Sequence, residues 1–127
     1  MSRIETREAL FKLVFEYCLS NEKNEIMLEE FAENPKIEID YLNNAYNGIL
    51  EHFNDLKAEI SGFTKGYSID RIFKVDLALL IVALYEIKFE EKIPTAVSIN
   101  EALNLAKKYS TEKSSKFING VLANFAK

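Results

Sequence analysis

One histidine, His52, and one cysteine, Cys18, are all the chain offers as a neutral-pH base or a thiol nucleophile. A catalytic pair needs its nucleophile and base within hydrogen-bond reach, and these two lie far apart in sequence. No glycine-rich phosphate loop or Cys/His cluster stands elsewhere. Cys18 falls in an apolar helical pattern and is expected to be a reduced core thiol. His52 sits beside acids with too few ligands nearby for a metal. Paired carboxylates such as Glu29-Glu30 lie in amphipathic stretches and read as solvated faces. The inventory argues against an enzyme, and no cofactor or metal is expected.

What remains is the chemistry of charge, amides and aromatic faces. The net charge of −4 opposes nucleic-acid binding by bulk electrostatics, but the distribution is uneven. Residues 21–60 carry ten acids against three lysines, whereas residues 92–127 carry six lysines against two glutamates. A polyanion should therefore meet the C-terminal region and avoid the middle.

That C-terminal third contains two helical patterns in tandem. Val97, Ile99, Ala102, Leu103, Ala106 and Tyr109 fall mostly three or four residues apart, as do Phe117, Ile118, Val121, Leu122 and Phe125. The break from Tyr109 to Ser115 is short and polar, so the two helices should fold back on each other. Asn100 is a polar residue next to the apolar stripe. Gly120 lies inside the second pattern, although glycine there costs ~1 kcal/mol relative to alanine. Tight helix packing is the structural explanation expected for it.

Ile99-Asn100-Glu101-Ala102, Leu105-Ala106-Lys107-Lys108-Tyr109 and Lys116-Phe117-Ile118-Asn119-Gly120-Val121-Leu122, in that order and spacing, resemble the C-terminal signature of the NusB family of transcription antitermination factors. Leu84-Tyr85-Glu86 fits the same pattern. Ile81 departs from it, standing where many members carry arginine. The resemblance implies two helical bundles and a function in assembly rather than catalysis. In that family the protein pairs with NusE, a small-subunit ribosomal protein. Together they hold boxA single-stranded RNA of nascent ribosomal transcripts on the transcription elongation complex.

Residue by residue, the resemblance implies RNA contacts from Lys113, Lys116, Phe117 and Asn119 at the start of the last helix. Unstacked bases are read by stacking on aromatics and by basic or amide side chains. Phe117 also has the spacing of a core residue. Arg7-Glu8-Ala9 looks like the end of the family's arginine-rich N-terminal element, which adds Arg3 and Arg7 to the RNA side. Only those two arginines stand there, diluted by Glu5 and Glu8. Asp70 and Asp76 are implied on the partner side. Two other readings stand beside this one: an RNA-binding domain like that of some RNA cytosine methyltransferases, and a helical scaffold that binds only protein.

The elements that must position these residues are legible along the chain. Ser2 and Glu5 suggest a capping box opening a helix to about Leu19. Its core face is Leu10, Phe11, Val14, Tyr17 and Cys18, with Lys12 and Glu16 as an outward pair. Asn21 is placed to cap a second helix, Glu22 to Glu33, with Ile26, Met27 and Phe31 inward; Asn34-Pro35 ends it. Asp40 is expected to cap one long helix from Leu42 to Phe63, closed near Gly66. A short capped turn at Ser68–Ile72 leads into a helix from Val75 to Phe89. Its run from Leu77 to Tyr85 has no polar face and should be buried nearly all round. Asp76 would sit at that helix's dipole-favoured end. The next helix starts near Pro94, or is recapped by Ser98 and Glu101.

The fold class expected is all-α, about seven helices in two packed bundles forming one compact domain over residues 1–127. A soft boundary separates residues 1–65 from 66–127. The longest apolar run is about half a membrane span, and the N-terminus carries no apolar signal-peptide core, so a cytoplasmic protein without membrane association is expected.

Overall fold

Ser2 opens the first helix as expected, its Oγ accepting from the Glu5 backbone N–H at 3.2 Å. The reciprocal half of the capping box is missing, because the Ser2 N–H donates to the Lys36 carbonyl at 2.6 Å. The computed structural model describes residues 2–126; Met1 and Lys127, which enter the domain bounds and the charge count above, lie outside them. Among the described residues the secondary structure is helical: α1 Arg3–Ser20, α2 Glu25–Ala32, α3 Ile39–Glu51, α4 Phe53–Ser61, α5 Lys74–Phe89, α6 Thr95–Tyr109 and α7 Glu112–Leu122. Short 3₁₀ turns cover Ile69–Arg71 and Ala123–Phe125.

The helix ends correct the sequence reading in three places. Asn21 does not cap the second helix. It closes the first, in a left-handed conformation (φ 60°), its N–H donating to the Tyr17 carbonyl; asparagine tolerates that conformation better than most residues. α2 therefore starts later, where Asn24 Oδ1 accepts from the Met27 N–H at 2.9 Å. Ile26, expected inward, is 71% exposed, and Leu28 takes the buried position. The long helix expected after Asp40 is two helices broken at His52 (φ −105°, ψ 14°), and Asp40 lies in the first turn of α3 rather than at its cap. The break lets Ile49, Phe53 and Leu56 all bury against the centre, with the Phe53 ring edge-on to Tyr17 at 4.9 Å between centroids.

α5 is that centre. All twelve residues from Asp76 to Ile87 are buried, and α1, α3, α4, α6 and α7 pack around them. Helices from both sides of residue 65 share this axis, and the core forms one cluster running from Ala9 to Leu122. At about 1.5–3 kcal/mol for each fully buried aliphatic side chain, α5 contributes more hydrophobic stabilisation than any other single helix. Ile81 is fully buried, so an apolar side chain suits the site. Gly48 on α3 lies against the Tyr85 ring: a Cβ there would come within 2.6 Å of its Oη.

α6 starts at Thr95 with Pro94 at the cap position; Ser98 turns inward instead. Val97, counted above among the inward residues, is 42% exposed. α7 is capped by Thr111, whose Oγ1 accepts from the Ser114 N–H at 3.1 Å. The packing expected for Gly120 is absent: a Cβ on it would meet nothing within 4 Å.

Candidate nucleic-acid interface

Lys113, Lys116 and Asn119 all lie exposed on the outer side of α7, whose inner side is Ile118, Val121 and Leu122. Phe117 is half-buried: it packs against the core and turns its ring toward exposed Tyr67, with centroids 6.3 Å apart.

What holds this face in place is Asp76. Its carboxylate, only 4% exposed, accepts from Ser110 Oγ at 2.8 Å and from Ser114 Oγ at 2.7 Å. Ser110 closes α6 and Ser114 lies in the first turn of α7, so the acid at the start of α5 ties down the segment that carries Lys113. Buried as it is, Asp76 still lines the open groove beside α7; a buried carboxylate must have its lone pairs satisfied internally, and here the two hydroxyls do so. Asp70 is the opposite case. Its side chain is 81% exposed, with Lys57 Nζ 3.9 Å away.

Between the 3₁₀ turn at Ile69–Arg71 and α7 runs an open groove of about 460 Å³. Tyr67, Phe73 and Phe117 provide its apolar wall, and Arg71 and Lys113 line it with charge. Tyr67 is 66% and Phe73 64% exposed, an aromatic pair that sequence reasoning missed. The signal available was two aromatics flanking the short turn with no helical stripe to absorb them. Exposed apolar patches of this kind, edged by polar groups, mark interaction surfaces.

The two N-terminal arginines are not part of this face. Arg7, expected to contact RNA, is a buried ion-pair partner with 4% side-chain exposure. Its Nε donates to Glu86 Oε1 and Oε2 at 3.1 and 2.9 Å, and Glu101 Oε2 lies 4.0 Å from its Nη1. Glu86, fully buried, also accepts from Tyr41 Oη at 2.5 Å and Ser98 Oγ at 2.8 Å. Burial, reinforced by the adjacent carboxylate, pushes the Tyr41 phenol well above its usual range, so it stays a donor. This network joins α1, α3, α5 and α6. Arg3 donates to Glu38 at 2.5 and 3.2 Å and lies 3.8 Å above the Tyr41 ring, its side chain 37% exposed. That hydrogen bond holds the Glu38 carboxyl below its ordinary value.

The remaining titratable candidates are spoken for. The His52 ring stacks on Phe89 at 4.6 Å. Cys18 is free and half-buried, and burial pushes its thiol up to about 11, which disfavours the reactive thiolate. Among the described residues no cluster of three or more potential ligands could hold a metal ion, and no helix is long and apolar enough to cross a membrane.

Comparison with known proteins bears directly on this arrangement. A family model described as the NusB family matches residues 4–127. The chain is 42% identical over 131 residues to "Transcription antitermination protein NusB" of Agathobacter rectalis, covering 99% of this chain and 100% of that one. Among solved structures it is similar to T. maritima NusB, with a TM-score of 0.87 and 30% identity over 99% of this chain and 91% of that one. It is also similar to a chain of the crystal structure of antitermination factors NusB and NusE in complex with dsRNA. There the TM-score is 0.82 and the identity 25%, over 98% of this chain and 97% of that one.

Proposed function

The chain belongs to the NusB family, and from that premise we propose that it is a cytoplasmic transcription antitermination factor. It acts with NusE on boxA-type single-stranded RNA of nascent ribosomal transcripts, holding the strand on the elongation complex without chemistry of its own. The observation that carries this reading is the face of α7. Lys113, Lys116 and Asn119 are exposed side by side on a well-capped helix, beside an aromatic groove, in a chain that is acidic elsewhere.

The division of labour follows from exposure. Lys113 and Lys116 meet phosphates, Asn119 meets a base edge, and the half-buried ring of Phe117 stacks a base. The groove between Tyr67, Phe73 and Phe117, with exposed Asp70 on the adjoining turn, suits the protein partner. Arg7 acts from inside, through Glu86, by fixing α1 against α5 and α6. Arg3 remains a peripheral RNA contact, available only by exchanging Glu38 for a phosphate.

The test is titration of boxA RNA into the protein with and without NusE at several salt concentrations. The pair should bind more tightly than the protein alone, with a shallow salt slope of about −0.7 per phosphate neutralised on a single strand. Lys116→Ala should weaken binding and flatten the slope by about one contact, whereas Lys23→Ala and Lys36→Ala should do neither. The burial of Arg7 and the pairing of Arg3 favour one alternative, a scaffold that binds only protein. NusE binding with no RNA binding under any condition would establish that alternative instead.

A further inference from the structure

Tyr109 ends α6 with its ring 36% exposed, and its surroundings are those of a platform rather than a loose surface residue. Behind it stands the buried ring of Phe11, with centroids 5.3 Å apart. Its hydroxyl donates to the Glu8 carboxylate, and Lys108 Nζ donates to the same oxygen at 2.7 Å. Two ammonium groups flank the ring, Lys108 Nζ at 5.4 Å and Lys12 Nζ at 5.8 Å from its centroid. Lys12, expected to pair with Glu16, thus turns toward Tyr109 and has no ion pair among the described residues.

We propose that Tyr109, with Lys12 and Lys108, is a second contact for single-stranded RNA, taking one unstacked base on the ring and the adjoining phosphates on the lysines. The inference rests on the RNA-binding reading above and adds a site on the α1–α6 side of the molecule. Stacking on a ring already held by Phe11 and Glu8 costs little further ordering entropy, and any base can supply the opposing π face. Glu8 positions the ring. Lys108, its side chain 61% exposed despite the bond to Glu8, meets phosphate together with Lys12 and exposed Lys107. Asn100 and Asn104, both exposed, stand one turn apart on α6, with Asn104 one turn before Lys108. They continue the same ridge with amides suited to base edges. An acidic peptide would satisfy the lysines but leave the flat ring and the amides unused.

The test uses the unmodified protein with NusE and a boxA RNA carrying 4-thiouridine, read by photo-crosslinking and by affinity. A crosslink in the peptide that contains Tyr109 is expected. Tyr109→Leu should weaken RNA binding about tenfold, Tyr109→Phe should bind nearly as wild type, and Lys12→Gln should lower the salt slope by about 0.7. The crosslink on the unmodified chain decides the matter even if Tyr109→Leu folds poorly. Crosslinks confined to α7, with Tyr109→Leu binding normally while Lys116→Ala still weakens binding, would overturn this site and leave the RNA reading intact. Poly-glutamate competing through this patch as well as RNA, with no dependence on the ring, would also overturn it. An unmodified protein–NusE pair that binds no RNA would overturn both.

Discussion

Arg7 Nε lies 2.9 Å from Glu86 Oε2 across 79 residues of sequence, with both side chains enclosed. Each is the other's charge partner, and Tyr41 and Ser98 satisfy the rest of the carboxylate. Removing one member leaves a buried charge unpaired. Arg7→Ala should therefore cost ~3–5 kcal/mol of folding stability, measured by denaturant unfolding. Replacing both with apolar side chains of similar volume should cost much less than either single change. An Arg7→Ala protein that keeps its stability and loses only RNA affinity would restore the direct RNA role.

Leu80 and Leu84 are fully enclosed on α5. Leu80→Ala or Leu84→Ala should cost ~2–5 kcal/mol by the same measurement. A loss under ~1 kcal/mol at both positions would mean that α5 is not the axis of the core.

The two glycines within helices should respond in opposite directions. Gly48→Ala places a methyl group against the Tyr85 ring, 2.6–2.9 Å from three of its atoms, and should destabilise by ~1–3 kcal/mol through overpacking. Tyr85→Leu should recover part of that loss. Gly120→Ala meets nothing and should stabilise by up to ~1 kcal/mol through helix propensity. Equal thermal shifts from the two substitutions would contradict the packing described.

Asp76 reaches Ser110 at the end of α6 and Ser114 in the first turn of α7, so its loss should be felt there. Asp76→Ala should speed amide hydrogen exchange at Ser114 and neighbouring positions, and should weaken RNA binding through Lys113. Asp76→Asn, which keeps one acceptor oxygen, should do so less. Exchange unchanged in both variants would show that the turn holds itself.

Glu8 gives a pH dependence with a definite sign. Burial by itself would raise its carboxyl, but hydrogen bonds from Lys108 and Tyr109 outweigh it and hold the value below the ordinary 4.5. The unfolded chain therefore takes up the proton more readily than the folded one. The stabilisation is complete above about pH 4.5 and is lost as pH falls through the lowered folded value. Melting temperature between pH 6 and pH 3 should fall less for Glu8→Gln than for the unmodified protein. Parallel curves would remove Glu8 as a titrating contact.

Periodicity by itself determined much of this protein. Apolar spacing marked α1, α5, α6 and α7, and the unbroken apolar run identified α5 as buried all round, because a helix without a polar face has nowhere else to go. The charge split singled out the C-terminal region, and the signature around Asn119 identified the family. Spacing says which residues share a face but not what stands opposite them, and there the tertiary structure decided. Arg7 is in register with Leu10, Phe11 and Val14, a visible hint that it points inward. Only the arrival of Glu86 from α5 makes a buried guanidinium tolerable there. Asp76 is polar in a buried run for the same reason, with Ser110 supplied by the end of α6 and Ser114 by the first turn of α7. Leu28 rather than Ile26 takes the buried position on α2, and α3 and α4, broken at His52, both pack against α5. For Arg7 and Asp76 the deciding partners come from elements far away in sequence, which spacing along the local helix does not reveal.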